Sequence, residues 1–108
     1  MGDEVIVLIT AGSDEEAMKI GRTLVEEHLV ACANLVSGVR SLFFWDGATR
    51  DERETLLICK SRLPLMERII ERVTPLHSYA VPEIIALPIV AGSKDYLAWV
   101  NESVRVQV

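Results

Sequence analysis

The sequence predicts a small α+β domain of the split βαβ type, with strand and helix patterns in the order β-α-β-β-α-β and a short terminal helix. Three observations carry this. Apolar runs rich in Val and Ile alternate with stretches whose apolar residues recur at helical spacing. The segment Ala31 to Lys60 (ACANLVSGVRSLFFWDGATRDERETLLICK) reads as two strands folded back across a polar tip at Trp45 to Glu54, each far longer than the five or six residues typical of strands. Finally, 108 residues make one domain spanning 1–108, with a core that needs no disulfide scaffold. A hairpin this long projects past what one small domain covers, so a homo-oligomer is expected.

Glu4 to Ala11 (EVIVLITA) is a continuous apolar run, the pattern of a central strand, and it stops at Gly12. Ser13 with Glu16 three residues on forms a capping box, and Asp14 and Glu15 add negative charge at the helix N-terminus. Ala17, Ile20, Gly21, Leu24, Val25 and His28 continue one stripe, predicting a helix to about Leu29. In the hairpin, Ser37-Gly38 marks a bulge or bend and Asp46-Gly47 a turn. Leu42 to Trp45 sets four large apolar side chains in a row, which another subunit is expected to cover.

Pro64 suits the first turn of a second helix, whose stripe of Met66, Ile69, Ile70 and Val73 runs to about Thr74 and stops at Pro75. Glu83 to Val90 (EIIALPIV) is a fourth strand, placed at a sheet edge because Pro88 cannot donate to a ladder. Ser93 caps a terminal helix reaching Glu102. Right-handed crossovers give the ferredoxin-like strand order 4-1-3-2 with both main helices on one face.

A formal charge of -5, from 16 acidic against 11 basic residues, argues against a nucleic-acid partner, since no cluster of Lys and Arg is present. No apolar run approaches the length of a membrane span, and Met1 to Glu4 carries two acids where a secretory leader is positive. The expectation is a soluble cytoplasmic protein. Two cysteines without a secretory leader are expected to stay free. A hairpin turning near Gly47 to Arg50 sets Cys32 opposite Leu65 and Cys59 opposite Gly38, so the thiols do not face each other.

The chemistry-bearing candidates are Cys32, His77, Glu83, Lys60 and Tyr79. By ligand type, Cys32, His77 and Glu83 suit Cu or Zn, although their spacing matches no compact motif. Each also has a plainer role: Cys32 as a small buried hydrophobe, His77 as a loop anchor, and Lys60 and Glu83 as mutual ion-pair partners. Trp45, Tyr96 and Trp99 are more ordinary as core or interface. An enzyme would use Cys32 as nucleophile and His77 as base, but no oxyanion or phosphate-loop signature accompanies them, so binding is expected rather than catalysis.

Together, Ala31-Cys32-Ala33-Asn34, Trp45-Asp46-Gly47, Glu54-x-x-Leu57-x-x-Lys60, the stretch Leu76 to Ile84 (LHSYAVPEI) and Tyr96-Leu97-x-Trp99 resemble the CutA divalent-cation tolerance proteins. The resemblance implies a homotrimer in which each hairpin extends a neighbour's sheet, an architecture similar to the PII signalling proteins. It also implies a role in metal tolerance, with copper ahead of zinc as the bound ion and no organic cofactor. A PII-like partner-protein or small-metabolite role is the second implication. Carried over position by position, the metal ligands are Cys32, His77 and Glu83. Lys60, Tyr79 and Trp45 line an intersubunit cleft, and the hairpin base at Cys32 and Lys60 is expected beside the His77 loop. In two places the chain departs from the family's His-Pro-Tyr-Glu-x-Pro-Glu loop: Ser78 replaces the proline and Ala80 the acid, removing rigidity and one candidate oxygen ligand. Ser61 replaces the usual Thr after the lysine.

Overall fold

The computed structural model describes residues 2–106 and holds one antiparallel sheet in the order β2-β3-β1-β4. This is the predicted 4-1-3-2 order. The strands are β1 (Glu4–Ala11), β2 (Cys32–Trp45), β3 (Ala48–Arg62) and β4 (Ile84–Pro88), and the helices are α1 (Asp14–Glu26), α2 (Met66–Val73) and α3 (Lys94–Ser103). Successive strand residues point to opposite faces. The odd-numbered residues Val5, Val7 and Ile9 of β1 and Leu57 and Cys59 of β3 therefore share a face with Ile20 and Leu24 of α1 and Ile69 and Val73 of α2. Each large side chain fully buried there contributes roughly 1.5–3 kcal/mol.

The other face is different. Ile6, Leu8, Leu56 and Ile58 are only half-buried, and Ile85 and Leu87 are each 47% exposed. Helix α3 reaches only the base of this face, where Asn101 donates to Glu4 and the Tyr96 hydroxyl lies 3.7 Å from Cys32 Sγ.

Helix ends differ from the sequence expectation in informative ways. Ser13 accepts from the Glu16 N–H at 3.1 Å, as a capping box requires, but the Glu16 carboxylate returns to the Gly12 N–H. Helix α1 stops at Glu26, short of Leu29, because His28 turns into the left-handed region at φ 59. The bonds Leu29 N–H to Leu24 O and His28 N–H to Val25 O make a Schellman ending, with buried Leu29 and Leu24 as its apolar contact. Helix α2 ends at Val73, within a residue of the expected Thr74, and Pro75 follows it. The proline sits in a 3₁₀ turn, Thr74–Leu76, that tightens the last turn, as a residue without an N–H permits. Ser93 occupies the N-cap of α3 without a side-chain bond, and β4 begins one residue after Glu83 and ends at Pro88.

The hairpin corrects the expected register. Its turn is two residues, with Trp45 paired to Ala48 and both Asp46 and Gly47 at positive φ, as a type I′ turn demands. Cys32 therefore opposes Lys60 and Ala33 opposes Cys59. The thiols sit on opposite faces and are free, Cys59 fully buried and Cys32 partly so. A register shift between Val36 and Val39 confirms the bulge at Ser37-Gly38. The inserted residue reverses the alternation of β2, so Val39, Ser41, Phe43 and Trp45 join the face that Cys32 and Val36 occupy lower down.

Candidate functional site

The loop after α2 is held by three acceptors from three elements. His77 is buried, and its Nε2–H donates to the Thr10 carbonyl of β1 at 2.7 Å while Nδ1 accepts the Tyr79 N–H at 3.1 Å. Both ring nitrogens are thus occupied, which makes His77 the loop anchor. Glu16 of α1 accepts from the Ser78 N–H at 2.6 Å and the Ser78 hydroxyl at 3.0 Å, besides Gly12. Burial pushes the Glu16 carboxyl up, but the Ser78 bonds, then Gly12 and nearby His77, outweigh it and hold the group below the usual Glu range. Glu54 of β3 accepts from the Tyr79 hydroxyl at 2.8 Å. Burial, then this carboxylate, pushes the Tyr79 phenol up to about 12.

The loop and the overhanging hairpin enclose an open cleft of about 910 Å³. Trp45, Phe43 and Tyr79 supply aromatic walls, and Asp46, Glu52, Glu54 and Glu83 supply carboxylates against one lining cation among the described residues, Arg50. Of the residues singled out in the sequence, Trp45, Tyr79 and Glu83 meet here, with His77 bracing the loop beneath. Glu16, Glu52 and Glu54 were not among the candidate site residues. Glu16 reads in sequence only as part of a capping box, and Glu54 as a charge at the hairpin tip and the first residue of the motif Glu54-x-x-Leu57-x-x-Lys60, with no site role. The even spacing of Glu52 and Glu54 with Leu56 and Ile58 is the signal that places them on the sheet's open face.

Cys32 and Lys60 lie elsewhere, so the expectation that they sit beside the His77 loop does not hold. Lys60 pairs with Ile6, whereas His77 bonds Thr10, four residues further along β1 and on the order of 13 Å away. Lys60 donates to the Asn34 side-chain oxygen rather than pairing with Glu83, which precedes the strand residue opposite Ile9. The Cys59 thiol is pushed up to about 12, chiefly by burial. Among the described residues no group of three or more His, Cys, Asp or Glu side chains stands close enough to hold a metal ion. Within one chain, then, Cys32, His77 and Glu83 do not converge. The His77 ring, bonded at both nitrogens, offers no free lone pair in this conformation.

Among the described residues no helix is long and apolar enough to cross a membrane. A family model described as the CutA1 divalent ion tolerance protein matches residues 5–103. A divalent-cation tolerance protein CutA from Thermus thermophilus is 45% identical over 100 residues, covering 93% of this chain and 97% of that one. The chloroplastic protein CutA of Arabidopsis thaliana is 42% identical over 94% of this chain, which spans 56% of that longer protein. Among solved structures, the Thermus thermophilus protein superposes with a TM-score of 0.92 at 44% identity, covering 94% of this chain and 99% of that one. The periplasmic divalent cation tolerance protein CutA of Archaeoglobus fulgidus gives a TM-score of 0.91 at 36% identity, covering 94% and 99%. These relatives overturn the cytoplasmic expectation: proteins of this sequence and fold are described as periplasmic and as chloroplastic, so the pattern carries no compartment. Matched by the family model over nearly its whole length and by relatives that share both sequence and fold, the chain belongs to the CutA1 divalent ion tolerance family.

Proposed function

We propose that this protein serves divalent-cation tolerance as a homotrimer, without catalysis, and binds copper or a related divalent ion weakly at sites shared between subunits. The observation that supports the reading is the family match across residues 5–103, joined by a Thermus thermophilus relative named for divalent-cation tolerance. Cys32 and Glu83 lie toward opposite ends of the sheet, so a site using both takes them from different copies. Calorimetric titration with Cu²⁺, Zn²⁺ and Ni²⁺ tests this on wild type, Cys32→Ser, His77→Ala and Glu83→Gln. Saturable binding weakened about tenfold or more by loss of a ligand is expected. Binding unchanged in all three variants would sink the assigned site.

A second reading, closer to PII-like sensing of a small metabolite, is favoured by one feature. Both His77 nitrogens are engaged while the adjacent cleft stays open. In that reading the cleft, rather than a cluster of metal ligands, is the working surface.

A further inference from the structure

The chain holds two histidines, and they differ in what their rings have left to give. His77 is bonded at both nitrogens. His28 Nδ1 lies 3.3 Å from the Ser103 carbonyl, which can only accept, so Nδ1 carries the hydrogen and the lone pair of the neutral ring is on Nε2. Nε2 has no hydrogen-bond partner among the described residues, and since no buried side-chain nitrogen among them lacks one, it reaches solvent from a half-buried ring. An imidazole whose other nitrogen donates to a backbone carbonyl is oriented as metal-binding histidines are. The backbone holds the ring in place as well. At φ 59, His28 stands where a helix ending of this type usually carries glycine, and its carbonyl accepts the Arg105 N–H.

His28 and Glu102 line one open groove of about 280 Å³ beside the start of β2. Imidazole and carboxylate are both ligands of borderline divalent ions. The C-terminal ends of α1 and α3 meet at this groove, and each brings the negative end of a helix dipole. Arg105 is the opposing charge among the lining residues. No lining residue comes from the open sheet face, from β4 or from the hairpin tip, so the groove lies outside the surfaces given to the proposed trimer. We infer that the groove binds a divalent transition-metal ion, Cu²⁺ ahead of Ni²⁺ and Zn²⁺, through His28 Nε2 and a Glu102 carboxylate oxygen, with water in the remaining positions. This site is separate from the one proposed between subunits and needs no second copy of the chain.

The test is calorimetric titration of the full chain with the chlorides of Cu²⁺, Ni²⁺ and Zn²⁺ in a Cys32→Ser background, which removes the thiol of the intersubunit site. Pulsed electron paramagnetic resonance of the bound Cu²⁺ is recorded in parallel. Expected are saturable binding, tightest for Cu²⁺, and spin-echo modulation from the remote nitrogen of a coordinated imidazole. Asparagine tolerates a left-handed backbone, so His28→Asn should fold, lose the imidazole modulation and bind at least about tenfold more weakly. Glu102→Gln should weaken Cu²⁺ binding several-fold, and Arg105→Gln, which keeps that residue's backbone bonds, should tighten it a few-fold. These two exposed positions carry the test if His28→Asn does not fold. An imidazole signal that survives His28→Asn would overturn the inference, as would affinities that neither Glu102→Gln nor Arg105→Gln moves. No saturable binding in the Cys32→Ser background would overturn it too, and if wild type still bound, the intersubunit site alone would stand.

Discussion

Ser78 gives two hydrogen bonds to Glu16, one from its N–H and one from its hydroxyl, where a proline could give neither. The departure from the family loop thus replaces ring rigidity with a tether to the first turn of α1. Because Glu16 titrates below its ordinary value of 4.5, the unfolded chain takes up the proton at higher pH than the folded one. The tether therefore contributes its full stability above about pH 4.5 and loses it as pH falls through the lowered folded value. Glu16→Ala should be less stable than wild type at pH 7, with a shallower decline on acidification. Chemical denaturation at a series of pH values checks both, and parallel acid slopes would refute the tether. Asp3, Asp14, Glu27 and Asp51 are lowered as well, chiefly by Arg62, Thr55, Arg72 and Arg40 respectively, so the variant retains part of the slope.

At the scale of the element, the hairpin depends on one inserted residue. Gly38 lies at φ +74 with open space where a Cβ would stand, so its requirement is backbone conformation and not room. Gly38→Val should cost about 1–2 kcal/mol without moving the register, measured by urea unfolding. Deleting Gly38 should do something else: alternation beyond the bulge reverses, Phe43 and Trp45 leave the cleft face, and Trp45 emission in a Trp99→Phe background shifts toward that of a solvated indole. Asp14 secures the same region from α1, accepting from the Thr55 and Ser37 hydroxyls on either strand at the bulge. These bonds tie the first turn of α1 to both strands at the bulge.

For the whole molecule, the decisive feature is a two-layer fold with one sheet face left apolar and uncovered. Domains bury both faces of an apolar sheet, and here α1 and α2 cover one while α3 reaches only the base of the other. The hairpin adds to the deficit, with Leu42 69%, Phe44 72% and Trp45 56% exposed. The homotrimer proposed above would cover such surfaces symmetrically. Light scattering on dilute protein should give three times the chain mass, and Ile58→Glu, which sets a charge in mid-face, should drive the assembly toward monomer by several kcal/mol. A wild-type chain that is monomeric and stably folded at low concentration would refute the trimer.

The sequence by itself determined the order of elements, the strand order, the bulge at Ser37-Gly38 and the edge position of Pro88. Each of these follows from short-range chemistry: periodicity, the missing N–H of proline, the freedom of glycine. The five family motifs were legible for the same reason, because each is a local string. Only the tertiary structure decided which candidates meet. Hairpin register rests on a turn of two residues, and placing the turn a few residues late moved every cross-strand partner, including those of Cys32 and Cys59. His77, whose role the sequence left open between ligand and anchor, became an anchor through the Thr10 carbonyl, 67 residues away in the chain. Glu54 became a cleft carboxylate through Tyr79, 25 residues away. Contacts at such separations are created by packing the sheet and its loops, and no pattern within either segment encodes them.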